Sequence, residues 1–241
     1  MLEYLLMPNR TLILASASPR RRELLALSGL RFEVQPAEAA EIPEPGETPA
    51  DFVRRMSAVK ARQVAAGLAN SAERSASGGH NSGALIIGAD TVVAIDNDIL
   101  GKPAGPQHAL EMLRRLRGRT HEVLTGLSVL DTSSGKIYTD LARSAVPMRH
   151  YPEAELADYV ASGDPLDKAG AYAIQHPHFH LVDEALFADC FANVMGMPLC
   201  VLLRRLRALG VQPQSDLPAA CQRFIPYACP VFDAILKEDS A

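Results

Sequence analysis

The sequence lacks an excess of basic charge. Its 241 residues include 24 lysines and arginines against 28 aspartates and glutamates, which gives a formal net charge of −4. Proteins that coat DNA or RNA present a basic face to the phosphate backbone. We therefore expect no polymeric nucleic acid as a partner, and the local clusters of arginine are expected to bind something small.

Long apolar runs are also absent. No stretch reaches the ~18 consecutive apolar residues that a membrane span requires. The leading segment carries Glu3 in place of a basic cluster, and residues 8–10 interrupt it. The remaining apolar run, residues 11–17, is shorter than the core of a secretory signal. We expect a cytoplasmic protein with no membrane partner.

Cysteines are few, and none belongs to a CxxC pair. The four lie in the last quarter of the chain: Cys190, Cys200, Cys221 and Cys229. Reduced thiols of a cytoplasmic protein are the expected state. A zinc or disulfide use of Cys221 and Cys229 is the alternative.

Patterns typical of strands and helices alternate along the chain. Apolar runs predict strands at 12–15, 84–95, 121–131 and 136–149, with a hairpin turn at 96–98. Capping residues and helical spacing predict helices at 19–29, 49–67, 106–116, 152–161 and 198–209. Because hairpins occur among the alternating elements, we expect an α/β fold with a mixed sheet.

Two segments stand apart from this pattern. Residues 70–83, NSAERSASGGHNSG, are small and polar, and we expect an exposed loop insertion without chemistry. The tail is rich in proline and cysteine, and no structure can be assigned to it. We therefore divide the chain into a domain of residues 1–210 and a C-terminal extension of residues 211–241.

The stretch SASPRRR follows the first predicted strand and begins a helix. Free backbone N–H groups, the hydroxyls of Ser16 and Ser18, and the guanidinium of Arg20 would meet there, and each favours phosphate. The alternative is that the arginines are merely solvated. A cation in the first turn opposes the helix dipole unless an anion lies nearby, which favours a binding role.

An aspartate interrupts the most apolar strand. We expect Asp90, in GADTVV, at the C-terminal end of that strand, where a carboxylate is rare unless it is paired, metal-bound or catalytic. A turn aspartate is the alternative. Lys60 and Lys102 likewise interrupt apolar or Gly/Pro surroundings, although isolated lysines are usually on the surface. The sequence has no GxxxxGK[ST] loop, which argues against a Walker-type site.

Six motifs follow one another in order: S-x-S-P-R-R, SAVKA, GADTVV, GKP, LRGRTHEVLTG and DPLDKAGAYAIQ. Together they resemble the Maf family of nucleoside triphosphate pyrophosphatases, whose fold is related to that of the inosine triphosphate pyrophosphatases. The resemblance runs from about residue 12 to about residue 207. It implies an elongated mixed β-sheet flanked by helices with a central cleft, and hydrolysis of a nucleoside triphosphate to the monophosphate and pyrophosphate.

The resemblance also implies catalytic roles. Asp90 matches the acidic residue described in the family as a proton acceptor, and Lys60 and Lys102 match its two lysines. Glu41 is the best match for a metal-associated glutamate, with Glu38 as a competitor. A divalent cation, Mg²⁺ or Mn²⁺, held by Asp90 and Glu41, is therefore the expected cofactor.

Substrate contacts follow in the same way. Ser16 and Arg20 match the phosphate-contacting residues. The family distinguishes bases with three positions, here Arg20, Thr91 and Gln175, and the branch that acts on dTTP and UTP carries this set. The branch that acts on 7-methyl-GTP carries an aromatic residue, a glutamine and a glutamate instead. The pyrimidine branch is therefore favoured.

Further contacts are expected around the triphosphate. Ser18 and Arg119 would contribute to binding it. Asp167 and Lys168 are secondary candidates, and an ion pair that shapes their loop is the alternative. The family also implies a homodimer.

The chain departs from the family pattern after Gln175, where His176 replaces a glycine and His178 and His180 follow. On a strand these histidines would share one face, as metal ligands do. A remodelled pocket wall beside the base is the alternative, because Pro177 opposes a strand. Two functional alternatives also remain: action on another modified or purine triphosphate, and a non-catalytic nucleotide-binding division regulator.

Overall fold

The computed structural model describes residues 10–74 and 83–238. Six strands lie in these residues: β1 (Leu12–Leu14), β2 (Glu33–Val34), β3 (Leu85–Ile95), β4 (Asp98–Leu100), β5 (Thr120–Asp131) and β6 (Ile137–Pro147). Four α-helices lie between residues 19 and 161: α1 (Pro19–Ala26), α2 (Pro49–Arg74), α3 (Pro106–Leu116) and α4 (Glu153–Ala161). Four more follow: α5 (Phe191–Val194), α6 (Leu199–Ala208), α7 (Leu217–Phe224) and α8 (Phe232–Lys237).

The strands form one mixed sheet in the order β2-β1-β3-β5-β6. Strand β1 runs parallel to β2 and β3, whereas β3 pairs antiparallel with β5, and β5 and β6 form an antiparallel hairpin. The short strand β4 turns back along the end of β3. The prediction of an α/β fold with a mixed sheet flanked by helices is confirmed.

One edge of β3 changes neighbours along its length. Residues 85–87 pair with β1 and residues 93–95 pair with β4, so residues 88–92 have no strand partner on that edge within the described chain. The last contact of this segment with β3 is the hydrogen bond that the Ala15 N–H donates to the Ile87 carbonyl at 2.8 Å. After Ala15 the backbone turns away from the sheet and enters α1. The interruption opens the sheet beside Asp90.

Alternate side chains of β3 face different layers. Ile87 and Val93 pack into the main apolar cluster, together with α3, α4 and α6. Ile86 and Val92 face the opposite side, in two smaller clusters formed with α2. Because side chains alternate along a strand, Asp90 lies on the α2 face between these two clusters.

Two glycines let α2 lie directly on the sheet. A Cβ at Gly88 of β3 would stand 2.1 Å from the Ser57 carbonyl oxygen, and one at Gly126 of β5 would stand 2.1 Å from the Val53 carbonyl oxygen. No larger residue fits at either position without moving the helix. This close approach brings Lys60 of α2 to β3.

Two expectations need correction, and the tail, which the sequence left unassigned, can now be described. Asp90 is the sixth of eleven residues in β3 and not at its C-terminal end, because β5 pairs with nearly the full length of the strand. Helix α2 continues to Arg74, so the predicted insertion at 70–83 begins as helix, and residues 75–82 lie outside the described chain. The tail also has structure, with Asp216 capping α7.

The extension packs against the rest of the protein. Leu217 and Ile225 join the main apolar cluster, and the Arg204 guanidinium of α6 donates to the Ile235 carbonyl of α8 at 3.2 Å. None of the helices in the described ranges combines the length and apolar character needed to cross a bilayer.

We predict that Gly88→Ala lowers the free energy of unfolding by about 2–3 kcal/mol, because the added methyl group meets the backbone of α2. Chemical denaturation measures this loss. Gly67→Ala is the matched control within α2, since nothing lies within 4 Å of its Cβ position and alanine favours helix. Equal stability of the Gly88→Ala variant and the unmodified protein would contradict the close packing.

Candidate active site

The loop between β1 and α1 is held by its own hydroxyl groups. The Ser16 hydroxyl accepts a hydrogen bond from the Ser18 N–H at 3.2 Å, and the Ser18 hydroxyl accepts from the Arg21 N–H at 3.5 Å. Ser18 is the N-cap and Pro19 the first helical residue, as the sequence predicts. The first turn of α1 therefore faces the opening in the sheet.

Arg21 joins three separate segments of the chain. Its Nε donates to the Gly196 carbonyl at 2.9 Å, and its Nη2 donates to the Thr91 hydroxyl at 3.0 Å. Its Nη1 donates to the Ser16 hydroxyl at 3.3 Å. Burial lowers the pKa of Arg21 below its usual value, and the charges of Asp90 and Glu41 offset only part of this effect. An arginine remains protonated near neutral pH under these conditions, so the guanidinium is a fixed positive charge.

Sequence reasoning chose Arg20 and missed Arg21. Arg20 is half-buried and also lines the opening, but its side chain makes no hydrogen bond within the described chain. The signal for Arg21 is its spacing, because a residue three positions after the N-cap Ser18 lies on the same face of the helix.

Lys60 joins the two acidic residues. Its ammonium lies 2.5 Å from the Asp90 Oδ1 and 2.7 Å from the Glu41 Oε1. Lys60 and Asp90 are buried, with 6% and 3% of their surface exposed, whereas about half of the Glu41 side chain is exposed. One buried cation therefore fixes a buried carboxylate and a carboxylate at the surface of the site.

The two carboxylates have opposite pKa shifts. Burial raises the pKa of Asp90 above its usual value, because desolvation outweighs the charge and hydrogen bond of Lys60. Burial also acts on Glu41, but Lys60, Lys102 and Arg21 together hold its pKa below the usual value. Glu41 thus stays ionised, and Asp90 takes up a proton more readily. Such a pair is typical of acid–base sites.

These groups surround a cleft of about 540 Å³, a size typical of small-molecule sites. Five cationic side chains line it within the described residues: Arg20, Arg21, Lys60, Lys102 and Lys168. Three carboxylates also line it: Glu41, Asp90 and Asp167. The excess of positive charge favours an anionic ligand.

The remaining predicted contacts lie at different depths. Lys102 and Gln175 are exposed at the cleft. Thr91 points to the face opposite Asp90, where its hydroxyl also bonds the Thr125 hydroxyl at 3.0 Å. Ser16 and Ser18 line the cleft beside α1.

Asp167 and Lys168 form an ion pair at the far wall. The Lys168 ammonium lies 2.7 Å from the Asp167 Oδ1 and donates to the Asp164 carbonyl at 2.6 Å. It also lies 2.9 Å from the Asp164 Oδ1. Lys168 is buried, and its bonds fix the turn before Gln175. These contacts agree with the alternative stated above, an ion pair that shapes the loop.

Two predicted residues do not reach the cleft. Arg119 does not line it, because its guanidinium lies 2.6 Å from the Asp96 carboxylate on an exposed part of the hairpin. The expectation that Arg119 contacts the ligand is therefore not supported by its position. Glu38 does not line the cleft either; its carbonyl accepts from Gln63 at 3.1 Å. Glu41 is the glutamate that faces Asp90.

The three histidines do not share the face of a strand. His176 lies in a turn, where its Nδ1 accepts from the backbone N–H groups of His178 and Phe179 at 3.1 and 3.0 Å. His180 faces Glu184 with its Nδ1 3.4 Å from the carboxylate. Because Pro177 and this turn replace the strand, the three histidine side chains do not alternate onto one face as metal ligands would. The ring of His176 instead stabilises the local turn through its hydrogen bonds.

The donor set beside Lys60 fits part of a divalent metal site. Asp90 and Glu41 present oxygen atoms to one point, and Mg²⁺ typically takes one or two carboxylates together with substrate phosphates. Within the described chain, no three histidine, cysteine or acidic side chains are arranged to hold a metal ion. The two carboxylates would therefore need ligands from the substrate or from water.

A family model described as "Maf-like protein" matches residues 11–209. A protein of Geobacter sp. (strain M21) named "dTTP/UTP pyrophosphatase" is 42% identical over 204 residues, which cover 85% of this chain and 98% of that protein. A protein of the same name from Syntrophus aciditrophicus (strain SB) is 42% identical and is covered to 92%. A third, from Dehalococcoides mccartyi (strain ATCC BAA-2100 / JCM 16839 / KCTC 5957 / BAV1), is 40% identical over 203 residues.

We predict that the stability of the Asp90→Asn variant, measured relative to the unmodified protein, rises as the pH increases. Burial raises the pKa of Asp90 in the folded state, so the folded protein binds this proton more tightly than the unfolded chain does. The stability that the protonated group provides is lost as the pH rises above about 4, whereas asparagine stays neutral. Denaturation curves from pH 4 to 8 should show that the free energy of unfolding of the variant, minus that of the unmodified protein, increases with pH. A difference that stays constant would contradict the assignment.

Proposed function

This chain belongs to the Maf family, and we propose that it is a nucleoside triphosphate pyrophosphatase that acts on dTTP and UTP. The products would be the nucleoside monophosphate and pyrophosphate. The relatives that carry this name cover most of the chain. The region that the family model matches, residues 11–209, includes every residue of the cleft. We assign the activity to the domain of residues 1–210.

The observation that carries the proposal is the buried Asp90 at the wall of a cationic cleft. Its carboxylate has a raised pKa and meets a buried ammonium, next to more positive than negative side chains. A site that only bound an anion would gain nothing from a buried carboxylate, which repels the ligand. Hydrolysis does need such a group, because the attacking water has to lose a proton.

The cationic residues would hold the triphosphate. Arg21 is fixed by three hydrogen bonds, so its charge requires little reorganisation as charge develops on the phosphate. Lys60 and Lys102 add positive charge near Glu41. Ser16 and the N-terminus of α1 both line the cleft, and the N-terminus of a helix is a favourable place for a phosphate.

Asp90 would orient the attacking water and accept its proton, and the water would attack the α-phosphorus. The raised pKa of Asp90 brings this base closer to the working pH, while Glu41 remains ionised beside it. Lys60 holds the Asp90 carboxylate in one orientation. The bond between the α-phosphorus and the bridging oxygen breaks, and pyrophosphate leaves.

A divalent cation, Mg²⁺ or Mn²⁺, would be held by Asp90 and Glu41 together with phosphate oxygens. When bound, such a cation neutralises phosphate charge and lowers the pKa of a bound water. The remaining residues act as described whichever of the two ions is present.

Arg20 and Gln175 would lie near the base of the nucleotide. Both line the cleft, and neither is held by a side-chain hydrogen bond within the described chain, so both are free to contact a ligand. Thr91 would act differently, since its hydroxyl accepts from Arg21 and bonds Thr125. We propose that Thr91 positions Arg21.

One observation favours a larger or modified base as the second candidate substrate. A neighbouring cavity of about 470 Å³ shares Arg20, Gln175 and Met195 with the cleft and is also lined by Phe191 and Phe224. A nucleotide with a bulky base could extend into it. Pyrophosphate release measured across canonical and modified triphosphates distinguishes the two candidates.

We predict that Asp90→Asn lowers kcat for pyrophosphate release from dTTP and UTP by about 10²- to 10⁴-fold, since the proton acceptor is lost. Asp98→Asn is the matched control, because Asp98 is exposed and pairs with Arg115 outside the cleft. The assay contains Mg²⁺ or Mn²⁺, and chelation with EDTA should abolish turnover. Unchanged turnover in the Asp90→Asn variant, or release of orthophosphate alone, would refute the proposed reaction.

We also predict that Arg21→Lys lowers kcat/KM by about 10- to 100-fold, because lysine cannot keep the forked contacts to Ser16, Thr91 and Gly196. Arg22→Lys is the control in the same turn, since Arg22 is exposed and does not line the cleft. Its kcat/KM should stay within about twofold. Equal losses in the two variants would indicate a general charge effect and not a fixed phosphate contact.

A further inference from the structure

The four cysteines, which are far apart in sequence, line one small cavity. Cys190 precedes α5, Cys200 lies in α6, Cys221 lies in α7, and Cys229 lies between α7 and α8. The cavity forms where the C-terminal extension packs on α5 and α6. The extension therefore contributes two of the four thiols.

Cys190 and Cys229 are in direct contact. Their thiol groups share a hydrogen bond, and Cys190 is buried whereas Cys229 is partly exposed. The backbone at Cys229 is held, because its N–H donates to the Gln222 side chain at 3.1 Å. Both thiols line the cavity, and the partly exposed Cys229 is the one open to a reagent from solvent.

The surroundings distinguish Cys229 from the other thiols. The hydrogen bond from Cys190 lowers the pKa of Cys229 to about 6, and backbone N–H groups of Val231 and Phe232 contribute. Burial raises the pKa of Cys200 to about 12 and that of Cys221 to about 11. Because thiolates and not thiols attack disulfides, Cys229 is the nucleophile of the cluster.

We propose that Cys190 and Cys229 are an oxidisable pair, a covalent modification site that a small disulfide oxidant closes into an intramolecular disulfide. The partner is a low-molecular-weight disulfide, and the modified group joins the C-terminal extension to α5. The two remaining cysteines stay reduced.

The reaction takes two exchange steps. The Cys229 thiolate attacks one sulfur of the oxidant, forms a mixed disulfide, and releases the first small thiolate. Cys190 then gives its proton to that thiolate and attacks the Cys229 sulfur, which releases the second thiolate. Two protein thiols are oxidised to one disulfide, and one disulfide oxidant is reduced to two thiols.

The first step prepares the second. The hydrogen bond to Cys229 is the largest cause that keeps the pKa of Cys190 high. Once Cys229 is bonded to the oxidant it carries no negative charge, so this cause disappears. Cys190 then loses its proton more easily, in contact with the sulfur that it attacks.

The contacts favour a disulfide over a metal site for these cysteines. No three of the cysteine, histidine or acidic side chains in the described ranges are arranged around a common metal position. Only the thiols of Cys190 and Cys229 share a hydrogen bond among the four, as far as the described chain shows. This pairing also differs from the Cys221–Cys229 pair that the sequence suggests.

The pair lies close to the proposed phosphate site. Cys190 is followed directly by α5, and the chain then reaches Gly196, whose carbonyl accepts from Arg21. A bond at Cys190 would therefore tie the extension to the short helix that supports Arg21.

The experiment treats the reduced full-length protein with oxidised glutathione at pH 7.5 and maps disulfide-linked peptides by mass spectrometry without reduction. We expect a linked pair of peptides that contain Cys190 and Cys229, a loss of two free thiols per chain, and a Tm higher by roughly 5–10 °C. These readouts do not depend on nucleotide hydrolysis, so they remain informative if the proposed function fails.

Two variants make the assignment specific. Cys229→Ser should abolish the intramolecular bond, while Cys221→Ser, a partly exposed cysteine of the same cavity, should leave it intact. Thermal unfolding of both reduced variants shows that they fold. A Cys221–Cys229 bond, a bond between two chains, four free thiols after treatment, or one bound zinc per chain would each overturn the proposal.

Discussion

The site depends on the contact of the Lys60 ammonium with two carboxylates. The ammonium is buried and lies within 2.7 Å of both Glu41 and Asp90, which come from a loop and from the middle of a central strand. Without this cation two carboxylates would face each other in a partly dry environment, at a high cost in free energy. With it, one carboxylate stays ionised and the other has a raised pKa, which is the asymmetry that acid–base chemistry uses.

That contact exists because helix and sheet lie unusually close. Gly88 and Gly126 present no side chain to α2, so the helix backbone rests on β3 and β5 and carries Lys60 to the strand. The same stretch of β3 lies between the residues that pair with β1 and the residues that pair with β4. The sheet therefore opens at the place where the helix delivers a cation, and the first turn of α1 lies beside the opening.

Much of this could be predicted from local pattern. The helix start at Ser18 and Pro19, the strand at GADTVV and the mixed sheet follow from capping, apolar periodicity and turn residues, and all were found. The role of Arg21 was not predicted, because its three partners come from distant segments that only the fold brings together. The predicted contact of Arg119 with the ligand has the same difficulty. The motif does not say which anion the guanidinium will meet, and in the fold it pairs with the Asp96 carboxylate.

By itself, the sequence determined the order of the long helices and strands, the family, and which ionisable residues interrupt apolar surroundings, since these depend on neighbouring residues and on motif spacing. Only the tertiary structure decided which charges meet. Coulomb energies and desolvation depend on distance and burial, and neither is set by separation along the chain. Lys60 and Asp90 are thirty positions apart and in contact, and Cys190 and Cys229 are thirty-nine positions apart and share a hydrogen bond.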